Sequence, residues 1–182
     1  MCGIWGFNIE KKGFNRKWVE SMIKRADERG GHSYGLYGIK SNGKHLQFKE
    51  EGRANCELIL DMIKDCIAVI GQSRLASSAS IDLFNTQPII DQEYVVVHNG
   101  NIPKHKEIMW KYNYTPKTDL DSEALVPMIK KGKYDIDGAF LALKIMEYDF
   151  KFLYYSNKLP LISANDGKGG QYYCSKEWEL KY

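Results

Sequence analysis

Cysteine is scarce in this chain, and the four that occur, Cys2, Cys56, Cys66 and Cys174, fall at irregular intervals with no C-x-x-C pair. That spacing argues against both a zinc site and a disulfide framework, so the thiols read as reduced and no metal is expected. Long apolar runs are missing as well. Nothing approaches the ~18 uninterrupted apolar residues of a membrane span, and the N-terminus lacks the basic segment and apolar stretch of a secretory signal. These absences point to a cytoplasmic protein with no membrane partner. Nor is there a block of one charge: the net charge of +3 comes with lysines spread along the chain, too mild and dispersed for a nucleic-acid interface. No repeat, low-complexity tract or linker interrupts the 182 residues, a length that buries a core unaided, so a single domain over 1–182 is expected.

What is present is alternating periodicity. Ile4, Trp5 and Phe7 read as a buried strand, and Trp18, Met22, Ile23 and Ala26 recur at helical spacing until Arg29-Gly30-Gly31 stops them. Ser33 to Lys40 alternates as a strand, Ser41-Asn42-Gly43-Lys44 is a hairpin turn, and His45 to Phe48 returns. Asn55 caps a short helix through Lys64, and Cys66 to Ile70 is a strand buried on both faces. Ala76 to Asn85, rich in small residues and without a period, reads as an exposed loop. Tyr94 to Val97 makes the next strand, followed by a helix started at Pro103 and another opened by Thr118-Asp119. Strand patterns at 139–146 and 152–155, then near Leu161 and Tyr172, complete an α+β reading.

Cys2 stands directly behind the initiator methionine. Removal of Met1 would leave one residue carrying both a nucleophilic sulfur and an α-amine, whose reference pKa of about 7.7–8.0 leaves part of it as free base near neutrality. Nucleophile and base would then come from the same residue. The plainer reading makes Cys2 a small buried residue opening an edge strand. Gly3 and Gly6 would leave the backbone around the sulfur uncrowded.

Further along, Arg29-Gly30-Gly31-His32-Ser33, Gly71-Gln72-Ser73-Arg74-Leu75-Ala76-Ser77, Gln87-Pro88, His98-Asn99-Gly100-Asn101-Ile102 and Thr118-Asp119-Leu120-Asp121-Ser122-Glu123 stand out. With Cys2-Gly3-Ile4 they resemble, in order and spacing, the glutaminase domain of class II glutamine amidotransferases. These are N-terminal-nucleophile hydrolases found in glucosamine-6-phosphate synthase, amidophosphoribosyltransferase and asparagine synthetase. The resemblance spans residues 2 to about 175 and implies an αββα sandwich of four layers.

It also implies roles. Cys2 would be the nucleophile, and Asn99 with Gly100 the oxyanion hole, two fixed donors of the kind worth several kcal/mol at a tetrahedral intermediate. Arg74 would grip the α-carboxylate of L-glutamine and Asp121 its α-amino group, with Ser77 offering a hydroxyl and Arg29 organising the loop beside the nucleophile. Taken without the resemblance, Arg74 and Asp121 read equally as structural ion-pair residues and Asn99-Gly100 as a turn. His32 stands where the family usually has aspartate and gains no role, and Gln72, Leu75 and Ser78 replace the usual loop residues. His98 is read as support for the turn that follows it. The implied reaction is hydrolysis of glutamine to glutamate and ammonia through a Cys2 thioester, without metal or organic cofactor. Relatives usually continue into an ammonia-using domain, so a synthetase acting in trans is the expected partner. Two rivals stand beside this reading: hydrolysis of another amide or γ-glutamyl compound, and a catalytically weak glutamine-binding regulatory subunit.

Overall fold

The computed structural model describes residues 1–10, 13–76 and 80–178. The opening run folds as β1 (Gly3–Ile9), with Ile4, Trp5 and Phe7 buried. It lies inside a six-stranded antiparallel sheet rather than at an edge, between β4 (Cys66–Arg74) and β10 (Gly170–Cys174). Beyond β4 come β2 (Ser33–Lys40) and β3 (His45–Glu51); beyond β10 comes β9 (Ile162–Asn165). A second sheet orders β5 (Ile89–Ile90), β6 (Tyr94–Gly100), β7 (Gly138–Ile145) and β8 (Phe150–Asn157), again antiparallel.

Side-chain alternation sorts the apolar residues into three cores. Between the sheets lie Ile4, Ala68 and Ile70 from one and Val95, Val97 and Leu141 from the other. On the outer face of the first sheet, Trp5, Phe7, Leu36 and Val69 meet helices α1 (Arg16–Asp27) and α2 (Cys56–Met62). On the outer face of the second, Val96, Phe140 and Ala142 meet Leu125, Val126 and Ile129 of the helical segment that follows α3 (His105–Lys111). Helices, sheet, sheet and helices make the expected four layers. Each fully buried aliphatic or aromatic side chain contributes about 1.5–3 kcal/mol, so the packing of these faces far outweighs the propensity of such short helices.

Helix α1 forms where the pattern places it: Asn15 Oδ1 accepts from the Trp18 N–H at 3.2 Å, and Trp18, Val19, Met22, Ile23 and Ala26 form the buried stripe. Two other helices differ from expectation. Pro103 does not open α3, because the chain leaves β6 sharply and Lys104 takes a left-handed φ of 59° before the helix begins at His105. The segment after Thr118 is not one α-helix either. It runs as a 3-10 turn over Asp121–Ala124 and then as α4 (Leu125–Lys130). Pro127 lacks the N–H that would bond the Glu123 carbonyl, and its ring crowds that carbonyl, which favours the tighter turn before it.

Candidate active site

The β1–β4 register pairs Gly3 with Ser73 and Ile4 with Gln72, so the next step places Cys2 beside Arg74. Both share the inward parity of Ile4 and Ile70, which aims them into the gap between the sheets. Leu75 holds the sulfur: its N–H donates to Cys2 Sγ at 3.4 Å, and the thiol donates to its carbonyl at 3.7 Å. Burial pushes the Cys2 thiol above its ordinary pKa, the Leu75 contact, the N-terminal ammonium and Arg74 pull it back, and Asp121 opposes them. Arg74 and Asp121 are therefore both within electrostatic reach of the sulfur. Gly3 has a different purpose from the one its size suggests. A Cβ there would sit 2.1 Å from the Ala26 carbonyl oxygen, so glycine lets the end of α1 press directly on the strand rather than leaving space around the thiol.

Asn99 and Gly100 end β6, and Asn99 has the inward parity of Val95 and Val97. Its side chain is buried, yet neither Nδ2 nor Oδ1 has a hydrogen-bond partner among the described residues. Leaving such a buried amide unpaired costs roughly 1–3 kcal/mol per group, which suits a group kept for a ligand. Gly100 has a φ of 153°, and a Cβ on it would lie 2.6 Å from His98 Nε2, so only glycine fits.

Arg74 is 4% exposed, and its Nη1 donates to the Ser80 carbonyl at 2.7 Å. Asp121 accepts from the Ile102 N–H at 2.6 Å and from Ser122 Oγ at 3.3 Å. Arg29 reaches not into the gap but to the Ser175 carbonyl at 2.6 Å. Ser175 in turn bonds both backbone groups of Ile4, so Arg29 braces the strand behind Cys2. Ser77 lies outside the described residues.

Several contributors carried little signal in the sequence. His32 Nδ1 accepts from the Ala76 N–H at 3.1 Å, and the His32 backbone N–H donates to the Arg74 carbonyl, tying down the start of the loop after Arg74. Asn85 reaches from that loop to the Asp119 N–H at 3.0 Å. Glu123, wholly buried, gathers the Tyr114 hydroxyl, the Lys117 and Thr118 N–H groups and the Thr118 hydroxyl, which shapes the approach to Asp121. A buried chain also joins Gln72, Gln87, His98 and Ser122. Its members are polar residues scattered over four motifs, and no local pattern links them.

A cleft of about 330 Å³ lined by Ile39, Ile67, Met146, Tyr148 and Phe150 opens at the opposite end of the sandwich, where none of the residues just described reaches. Among the described residues no group of three or more His, Cys, Asp or Glu is placed to hold a metal, and no helix is long and apolar enough to cross a membrane.

No family model matches the chain. Individual proteins do. It is 28% identical over 173 residues to 7-cyano-7-deazaguanine synthase 2 of Sulfurisphaera tokodaii, an alignment covering 88% of this chain and 37% of that protein. Against glutamine–fructose-6-phosphate aminotransferase of Bacillus spizizenii it is 29% identical over 150 residues, covering 77% of this chain and 24% of that one. The fold agrees with these: the B. subtilis glutamine phosphoribosylpyrophosphate amidotransferase superposes with a TM-score of 0.65 at 16% identity, over 95% of this chain and 41% of that one. The chain is a homologue of the class II glutamine amidotransferase glutaminase domain. This glutaminase-type chain spans roughly a quarter to two fifths of the relatives it matches. Its two sheets between helices are the N-terminal-nucleophile hydrolase fold of that structural neighbour.

Proposed function

We propose that the chain is a glutaminase that hydrolyses L-glutamine to glutamate and ammonia and delivers the ammonia to a synthetase, as a domain or a separate partner. The convergence of Cys2, Arg74, Asn99 and Asp121 at one end of the inter-sheet gap is the observation that carries it. With Met1 removed, the Cys2 thiol attacks the amide carbon as its α-amine accepts the proton. The Asn99 amide and Gly100 N–H receive the oxyanion. The amine then returns the proton to the departing nitrogen, ammonia leaves, and water cleaves the thioester to release glutamate and restore the thiol. Arg74 and Asp121 take the α-carboxylate and α-ammonium, a pair of opposite charges suited to a free amino acid and poorly suited to an amide lacking them. Relatives named as a synthase and an aminotransferase, each matched over only part of its length, support an ammonia-consuming companion.

The test joins an intact mass with an ammonia-release assay on glutamine. Active protein should lack Met1, and Cys2→Ala should abolish release while glutamine binding persists. Turnover by protein that retains Met1 throughout would overturn the mechanism.

A further inference from the structure

The buried chain on the helix side of β6 ends on Asp121. His98 has the parity of Val96 and so points away from the inter-sheet gap, towards the 3-10 turn. The amide orientation of Gln87 is fixed from one side, because its Oε1 accepts from the His98 backbone N–H at 2.6 Å. Its Nε2 must then face Ser122 Oγ, at 3.2 Å, and an amide N–H only donates. Asp121 Oδ1, 3.3 Å from the same hydroxyl, only accepts as a carboxylate. Ser122 therefore gives its one hydrogen to Asp121 and receives from Gln87. The third contact, His98 Nδ1 at 2.9 Å, fills the remaining lone pair and has to bring its own hydrogen.

The other ring nitrogen agrees. His98 Nε2 has no partner among the described residues and packs against Gly100 and Gly138, where a Cβ would lie at 2.6 Å and 2.8 Å. A bare lone pair there costs less than a buried N–H with no acceptor. Burial also holds the imidazole down at about 4, so it is neutral near pH 7, with the Asp121 charge only partly opposing.

We propose that His98, carrying its hydrogen on Nδ1, and Ser122 are positioning residues that orient the Asp121 carboxylate toward the ammonium end of the amino-acid substrate. The inference rests on the glutaminase reading. The Ile102 N–H fixes Asp121 Oδ2 while Ser122 fixes Oδ1, so both oxygens are aimed before substrate arrives. Pre-aimed carboxylate geometry serves the α-ammonium and has no effect on a substrate without one.

Two measurements on the full chain test this. Two-bond proton–nitrogen correlation spectra of the His98 ring near pH 7 should show a protonated Nδ1 and a bare Nε2; the opposite tautomer overturns the proposal. Kinetics supply the second, with glutamine compared against glutaric acid monoamide, which lacks the α-amine. Ser122→Ala should raise KM for glutamine about tenfold while kcat stays within about twofold, and leave the monoamide unaffected. Ser122→Thr, which keeps the hydroxyl, should return KM toward the original value. Equal losses on both substrates, with thermal unfolding unchanged, would mean the serine does not act through Asp121 and would sink the idea. If the unaltered protein releases no ammonia, the glutaminase reading fails. The ring spectrum and calorimetric glutamine binding to Ser122→Ala still decide the positioning role.

Discussion

His98 and Asn99 are neighbours in the chain, yet alternation along β6 sends one to the helices and the other into the gap between the sheets. Their fates follow from that. The Asn99 amide has no partner among the described residues; if it receives the oxyanion as in the proposed function, Asn99→Ala should lower kcat by about 10²–10³ with little change in KM, checked by glutamate release. Arg74→Ala should do the reverse, raising KM more than it lowers kcat. His98 predicts a pH dependence of stability. Its pKa falls from 6.5 to about 4 on folding, so below pH 6.5 the unfolded chain takes up the proton first. The contribution is whole above that pH and is lost as pH falls toward 4. Between pH 7 and 5 the loss from this ring is about 2 kcal/mol, and denaturant unfolding should show a shallower slope in His98→Gln.

At the scale of elements, β1 and the end of α1 are locked by direct backbone contact at Gly3. Gly3→Ala has nowhere to put its methyl group except by moving the helix or the strand that carries Cys2. It should cost about 3 kcal/mol in denaturant unfolding and abolish turnover. The start of the loop after β4 is tied down in part by the bond from the Ala76 N–H to His32 Nδ1. His32→Ala should raise KM for glutamine roughly threefold to tenfold, the worth of one such bond, with kcat nearly unchanged.

Across the whole molecule several large apolar residues are exposed, Trp110, Tyr148 and Tyr154 among them, and four fall in the loop region after β4. Leu75 touches the Cys2 sulfur, and Ile81, Leu83 and Phe84 of the same loop region are also exposed. In the proposed function, this exposed apolar surface beside Cys2 is where a synthetase partner would make contact and favour turnover. Glutamate release should therefore be slow for the chain alone and rise when a synthetase with its acceptor is added. A coupling of about 1–3 kcal/mol gives roughly 5–150-fold. Rates measured with and without candidate synthetases check this; a lone chain already at full rate, unmoved by any of them, would count against delivery to a partner.

The sequence alone determined whatever depends on local period and chemistry. It showed a buried strand directly behind Cys2, an Asn-Gly pair where a second buried strand ends, a helix announced by Asn55, and an ordered set of motifs whose family resemblance implied two sheets between helices. The strands and the capped helix are legible because alternation and capping act over a few residues, whereas the layered arrangement was legible only through the resemblance. Tertiary structure decided the rest. Only the register with β4 and β10 makes β1 interior and puts Cys2 beside Arg74. Only the packing of α1 explains Gly3. His32, Gln87 and Ser122 look like ordinary polar residues until folding removes water from around them. Each must then find a partner far along the chain, and which partner it finds is set by what packs opposite, a relation that no local pattern encodes.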